Sequence, residues 1–346
     1  MSSNSALSGA IRKLASRQDL SAEETEAAFT VVMEGHASDV QKSALLIGLR
    51  AKGETPHEVA GGVRALRKAM VAVRVPEPDA VVDTCGTGGG SVATFNISTA
   101  AAFALAGAGV PVAKHGNRSF SSRCGSADVL EALGIQLPLT PQRMERVFES
   151  VGLSFLFAPR LHPAMKHLGS VRKELAVATI MNILGPLTNP ARARRQVVGV
   201  SDPGLLHLVA EALQELGHIR ALVVHGEPGM DELSPLGPTH GVRVDSGGLE
   251  EFVFDPVKTL GWNHFDASDL AGGEPEDNAR VIEQVLAGKG APGARAAVVL
   301  NAAAGFYVAG SVETLQDGVD LAESALDERK GLEALERIRE VTRSET

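Results

Sequence analysis

Cysteine is nearly absent: Cys85 and Cys124 are the only two in 346 residues. They match neither a disulfide framework nor a zinc site, and so few thiols suit a reducing compartment. Each flanks a polar loop, where a small buried filler is the simplest role for a free thiol. Positive charge is also in deficit. Lys and Arg number 33 against 42 Asp and Glu, a formal charge of −9. That argues against a basic surface for non-specific nucleic-acid binding, but leaves room for a local cationic pocket. Long apolar runs are missing too. The longest nearly uncharged stretch, 100–113, is short and rich in Gly and Ala, whereas a bilayer span takes about 20 apolar residues. The opening MSSNSALSGAIRKLASRQ holds no apolar segment of the signal-peptide kind. Cytoplasmic residence is therefore expected. No internal repeat or low-complexity segment is present. The length allows a large core with a smaller satellite domain.

What is present centres on residues 83–134, which read as strand, glycine loop, helix, strand, polar loop, helix. The apolar run 80–83 suits a buried parallel strand. Gly86, Gly88, Gly89 and Gly90 follow, so backbone N–H groups approach an anion with no Cβ in the way. Ser98 and Thr99 occupy the expected N-cap of an Ala-rich helix, 100–105. A helix N-terminus beside such a loop favours phosphate. A second short strand, 112–113, leads into Lys114, His115, Gly116, Asn117 and Arg118, then Ser119, Ser121 and Ser122. Gly125 and Ser126 open the next helix. Each loop alone reads equally well as a tight turn. Together they place convergent anion-binding groups at strand C-termini, where open α/β sheets bind ligands. Neither common nucleotide fingerprint fits, because no Lys follows the glycines and the G-x-G-x-x-G spacing is absent.

The rest of the chain divides by periodicity. Residues 1–73 read as helices only. Leu7, Ile11 and Leu14 recur at helical spacing, and Ser21 with Glu24, Ser38 with Gln41, and Thr55-Pro56 with Glu58 signal three helix starts. Residues 75–79 form a proline-stiffened linker. Strands then alternate with helices, which implies a parallel-rich sheet. Further strands are expected at 154–157, 196–200, 220–224 and 241–244, with helices at 140–151, 204–216 and 278–286. More helix interrupts the alternation at about 168–189. Residues 291–341 are helical, with a charged end expected to face solvent.

Several stretches together resemble anthranilate phosphoribosyltransferase: GTGG with TFNIST, KHGNR with GSADVLEALG, His162-Pro163-Ala164-Met165 with Arg172, NILGPLTNP at 182–190, and HGEPGMDE at 225–232. Their order and spacing agree across nearly the whole chain. The resemblance implies an α/β fold of the nucleoside phosphorylase/phosphoribosyltransferase kind. A small helical domain, 1–74 joined by about 168–190, would accompany a large α/β domain, 80–346. It also implies phosphoribosyl transfer from phosphoribosyl pyrophosphate to the amine of anthranilate, with Mg²⁺, in a homodimer. The phosphoribosyl pyrophosphate residues would be Gly86, Gly89, Gly90, Thr94, Asn96, Ile97, Ser98, Thr99, Lys114, His115, Gly116, Asn117, Arg118, Ser119, Phe120, Ser121, Ser122 and Ser126. Gly86, His115, Asn117, His162 and Arg172 would form the anthranilate site, an Arg being suited to carboxylate recognition. Asp231 and Glu232 read on their own as a solvated acidic turn or a metal pair. The resemblance makes them, with Ser98, the Mg²⁺ ligands. No catalytic base is assigned, because the aniline nitrogen loses its proton readily once the C–N bond forms.

One position departs from the family pattern. Gly90 stands where the family usually has Asp, so a carboxylate beside the pyrophosphate is missing. Two other readings remain on the same scaffold: a pyrimidine nucleoside phosphorylase, and a non-enzymatic relative that binds nucleic acid. KHGNR and Arg172 favour the first reading over the nucleoside enzyme. The negative charge and largely intact loops speak against the nucleic-acid binder.

Overall fold

A computed structural model describes residues 3–118 and 123–344. It opens with α1 (Ser3–Ala15), α2 (Ala22–Met33), α3 (Asp39–Lys52) and α4 (Pro56–Ala69). Ser21, Ser38 and Thr55 each accept the N–H three residues on, and Glu24, Gln41 and Glu58 reach back. These reciprocal caps satisfy N–H groups that the first helical turn leaves unpaired. Inside the bundle Glu58 is fully buried, accepting from Leu20 N–H at 2.9 Å and pairing with Lys52 at 3.1 Å.

Beyond the linker come β1 (Val82–Gly86), α5 (Ile97–Gly107), β2 (Val112–Gly116), α6 (Ser126–Ala132), α7 (Pro141–Val151), β3 (Leu153–Phe157) and α8 (Ala158–Leu161). Two helices, α9 (Lys166–Leu175) and α10 (Ile180–Leu184), then interrupt the strands. The sheet resumes with β4 (Arg195–Gly199), α11 (Leu206–Glu215), β5 (Arg220–Gly226), β6 (Thr239–Asp245) and β7 (Gly248–Phe254). The described chain ends in α12 (Pro256–Leu260), α13 (Pro275–Leu286), α14 (Pro292–Ala309), α15 (Leu315–Asp327) and α16 (Lys330–Ser344).

The strand order is β3-β2-β1-β4-β5-β6-β7. β3 through β5 run parallel, and β6 and β7 add antiparallel at one edge. From β1 the chain proceeds to β2 and β3 on one side. From β4 it proceeds to β5 on the other. The order therefore reverses between β1 and β4, and the crevice at their C-terminal ends is where such sheets take ligands. Gly86 and Gly199 face each other there.

Side chains on adjacent strand positions point to opposite faces, and two cores result. Val197, Leu222 and Val224 pack into one with α5 and α14. Val198, Ala221 and Val223 pack into the other, which is continuous with α11 and the buried faces of α1–α4. In the same core, α9 packs against α2 and α3, and α10 against α3 and α4.

Three local features differ from expectation. α5 starts at Ile97, not after Ser98 and Thr99, and its N-cap Asn96 makes no capping bond. The Ser98 N–H instead finds a distant acceptor, Glu232 Oε1 at 3.2 Å, which does the work of a local cap. β7 was not foreseen, and it forms a hairpin with β6. The charged terminal helix α16 is not wholly solvated. Leu335 and Ile338 are buried, and Arg339 donates to Leu133 O and Glu283.

Candidate active site

The site is built where β1, β2 and the turn after β5 end together. β1 delivers Asp83, fully buried, and Gly86. β2 delivers Lys114 and His115, both buried despite their polarity. The Lys114 ammonium donates to Thr84 O and, at 3.1 Å, to Ser98 Oγ. It thus ties β1 and β2 to the first turn of α5. Asp83 fixes the same assembly from below. Its carboxylate accepts His115 N–H at 3.0 Å and Gln196 Nε2 at 3.1 Å. Gln196 Nε2 also reaches Pro186 O at 2.8 Å, and Asn189 Nδ2 reaches Ala113 O at 2.8 Å. The 186–189 segment is thereby held against β2.

The acidic turn seats on the glycine loop. Asp231 Oδ2 accepts Gly88 N–H at 2.8 Å, Ser91 N–H reaches Gly229 O at 2.8 Å, and Ser91 Oγ donates to Pro228 O at 2.8 Å. This approach explains two glycines. A Cβ on Gly86 would lie 2.3 Å from Asp231 Oδ2, and one on Gly199 would lie 1.7 Å from Asp231 O. Any side chain at either position would push the turn off the crevice.

Electrostatically the crevice is short of positive charge. Asp83, Asp231 and Glu232 all feel the single ammonium of Lys114. Burial raises the pKa of Asp83 and of Asp231. Glu232 is pushed up to about 8, first by burial and then by its neighbour Asp231. Adjacent half-buried carboxylates with oxygen-only donors fit a hard divalent cation. Among the described residues no three His, Cys, Asp or Glu side chains form a complete metal cage.

The family comparisons agree with this geometry. A profile described as "Glycosyl transferase family, helical bundle domain" matches residues 8–70, and "Glycosyl transferase family, a/b domain" matches 78–332. A protein of Rubrobacter xylanophilus named anthranilate phosphoribosyltransferase is 49% identical over 96% of this chain and 97% of its own. The crystal structure of the Thermus thermophilus anthranilate phosphoribosyltransferase superposes with TM-score 0.90 at 43% identity, covering 96% of this chain and 99% of that one. The Saccharomyces cerevisiae enzyme, in complex with PRPP and Mg, superposes with TM-score 0.87 at 25% identity, each chain 98% covered. This chain belongs to the anthranilate phosphoribosyltransferase family.

Within that family frame, the remaining residues singled out in the sequence take these places. Asn96 accepts from Asn278 Nδ2 at 3.0 Å and from Cys124 Sγ at 3.3 Å. Thr99 Oγ1 is buried with no hydrogen-bond partner. Ile97 is fully buried and its N–H donates to Phe95 O at 2.8 Å. Thr94 bridges to Ala271. Asn117 N–H donates to Ser126 Oγ at 3.1 Å, and a Cβ on Gly116 would lie 2.3 Å from that oxygen. Arg118 is engaged by Asp128 and Glu131, each at 2.7 Å, with Phe157 beneath it. Ser119, Phe120, Ser121 and Ser122 lie outside the described residues.

His115 and His162 meet, their Nε2 atoms 3.2 Å apart. Burial pushes His115 down to about 3 and His162 to about 4. Both imidazoles are therefore neutral near pH 7, and one ring N–H is donated to the other ring. Arg172 sits in the last turn of α9, half-buried, with burial lowering its pKa. It makes no hydrogen bond or ion pair to the other site residues among those described. Sequence reading missed Gln196 and Asn189. Asn189 lies in the 182–190 stretch and Gln196 in an expected strand, but the contacts that give them a site role, Ala113 on β2 and Asp83 on β1, are distant in sequence.

Proposed function

We propose that the chain transfers the phosphoribosyl group of phosphoribosyl pyrophosphate to the amine of anthranilate, releasing pyrophosphate, in tryptophan biosynthesis. The observation that carries this reading is the buried Lys114 ammonium. It stands where the glycine loop, the α5 N-terminus and the Asp231–Glu232 pair converge. The likeness to enzymes of this name, one of them solved with PRPP and Mg, supports the choice of substrates.

In this reading the polyphosphate lies over Gly86–Gly90 and the first turn of α5. N–H groups of the loop, the Ser98 and Thr99 hydroxyls and Lys114 would meet its oxygens. The orphaned Thr99 hydroxyl is suited to such a partner. Asp231, Glu232 and Ser98 would hold Mg²⁺. When bound, the ion neutralises charge on the departing pyrophosphate. Asn117, Ser126 and the 116–118 turn would shape the ribose side. The neutral His115–His162 pair forms an uncharged wall for the aromatic acceptor, and Arg172 would receive its carboxylate. A fluorine-substituted anthranilate occupies the S. cerevisiae relative, which supports an aromatic acceptor here. Catalysis then rests on positioning and charge stabilisation, without a strong base.

The domain assignment, 1–74 with 168–190 against 80–346, is our reading too. Packing of α9 on α3 and of α10 on α4 supports it. Among the described residues no helix is long and apolar enough to cross a membrane. To test the function, anthranilate fluorescence is followed with phosphoribosyl pyrophosphate and Mg²⁺, and a pyrimidine nucleoside with inorganic phosphate is run beside it. Loss of fluorescence supports the proposal. Phosphorolysis of the nucleoside alone would replace it with the phosphorylase reading.

A further inference from the structure

A short stretch of paired backbone holds the starts of α5 and α13 side by side. Phe95 N–H donates to Leu270 O at 3.0 Å, Gly272 N–H donates to Ala93 O at 3.1 Å, and Thr94 bridges to Ala271 between them. A Cβ on Gly272 would lie 2.3 Å from Thr94 O, so the two segments meet with no side chain between them there. This brings Asn278, near the start of α13, against Asn96. Asn278 is 2% exposed, and a buried amide needs partners at both ends. Gly273 N–H, which can only donate, meets its Oδ1 at 2.7 Å. Its Nδ2 therefore faces the other way and donates to Asn96 Oδ1 at 3.0 Å. The Cys124 thiol donates to the same oxygen at 3.3 Å. Asn96 is the half-buried N-cap of α5, where an Asn oxygen ordinarily accepts an N–H of the first turn. Here that oxygen is held from outside the helix, and no capping bond forms. Asn96 Nδ2 is left on the opposite edge, reaching Cys124 O at a long 3.4 Å, with two hydrogens to give.

We propose that Asn278 is a positioning residue for the polyphosphate cradle, and that it acts through Asn96 by keeping that amide in the orientation that donates to phosphate. An amide has two edges. The nitrogen edge donates to an anion, whereas the oxygen edge sets a lone pair against negative oxygens and repels them. An unrestrained Asn96 would also turn its oxygen onto the α5 N–H groups as an ordinary cap. The Gly273–Asn278–Asn96 chain removes both alternatives, and one backbone N–H sets the sense of every bond in it. The donor edge is thus ordered before the ligand arrives, two residues from Ser98, whose hydroxyl takes the Lys114 ammonium at 3.1 Å. Asn278 itself touches no substrate. The role of Asn96 toward phosphoribosyl pyrophosphate rests on the function proposed above.

Calorimetric titration with phosphoribosyl pyrophosphate, Mg²⁺ present throughout, tests this on native protein, Asn278→Asp, Asn96→Ala and the double variant. Asp keeps an oxygen for Gly273 N–H but turns an acceptor toward Asn96, whose amide must then flip. Asn278→Asp should weaken binding about tenfold or more, the size of one charged hydrogen bond lost. Asn96→Ala should weaken it by a similar factor, and adding Asn278→Asp to that variant should change affinity by less than about twofold. The anthranilate KM of Asn278→Asp should stay within about twofold of native. Equal losses from Asn278→Asp in both backgrounds overturn the inference, because charge or packing would then act without Asn96. Native affinity in either single variant overturns it too. If a variant does not fold, the side-chain amide resonances of Asn96 in native protein decide. Phosphoribosyl pyrophosphate with Mg²⁺ should shift them, and resonances unmoved at saturation overturn the inference. A native protein that binds no phosphoribosyl pyrophosphate overturns the proposed function, and this inference with it. Native binding with any of the contrary outcomes above overturns this inference alone.

Discussion

Gly90→Asp introduces a carboxylate into a glycine loop that has none. A Cβ at position 90 would lie 2.9 Å from Gly229 O and 3.4 Å from Asp231 Oδ1. The first contact is with backbone, so the 229–231 turn must yield by a few tenths of an ångström. The second sets the electrostatics, because the new carboxylate joins Asp231 and Glu232. Two unit charges about 5 Å apart repel by roughly 3 kcal/mol at an effective dielectric of about 20. Partial exposure and salt reduce that to about 1–2 kcal/mol, or roughly five- to thirtyfold in an equilibrium. The penalty applies while no cation bridges the acids. At low Mg²⁺ the same repulsion acts between the new carboxylate and the incoming polyphosphate, so the variant should lose roughly five- to thirtyfold in phosphoribosyl pyrophosphate affinity. Its activity-versus-Mg²⁺ curve should move to a different optimum, with the anthranilate KM little changed. After chelation its melting temperature should fall by about 1–3 °C and recover when Mg²⁺ is added. Superimposable Mg²⁺ titrations for native protein and variant would refute the reasoning and leave the loop backbone as the sole determinant.

Arg172→Ala should raise the anthranilate KM about ten- to a hundredfold, the cost of a charged hydrogen bond to a carboxylate, and leave that for phosphoribosyl pyrophosphate nearly unchanged. Equal effects on both would make the residue structural. Glu232 is raised from 4.5 to about 8, so the native metal-free protein keeps a proton that the unfolded chain has lost between those values. Metal-free stability should therefore fall as pH rises through that window, by a few kcal/mol. Melting curves should show this slope in native protein and a flatter one in Glu232→Gln. A homodimer through the helical domain is also expected. Val40 and Ile47 are exposed on α3 and are available for burial between copies. A monomeric mass at micromolar protein would contradict it.

Local chemistry made much of the fold legible. The reciprocal caps at Ser21, Ser38 and Thr55 sit where hydroxyl and carboxylate spacing put them. The glycine loop follows β1 as expected, whereas β2 runs on through Lys114, His115 and Gly116, past the point where polar residues are expected to end it. What escaped reading is long-range. β7, GLEEFVF, is an edge strand with exposed Glu250, Glu251 and Val253, so it carries little apolar alternation. The start of α5 depends on Glu232, which is distant in sequence. The Asp83–Gln196–Pro186 strut depends on strand neighbours that no spacing rule reveals. At the site, residue types were readable, but their commitments were not. Arg118 is engaged by Asp128 and Glu131, and Asp231 occupies Gly88 N–H.

The most direct measurement mixes native protein with anthranilate, phosphoribosyl pyrophosphate and Mg²⁺, and records anthranilate fluorescence and released pyrophosphate together. The account predicts that both change in equal amounts, and that omission of any one component stops both. Pyrophosphate release without anthranilate loss, or no reaction with all components present, would contradict it.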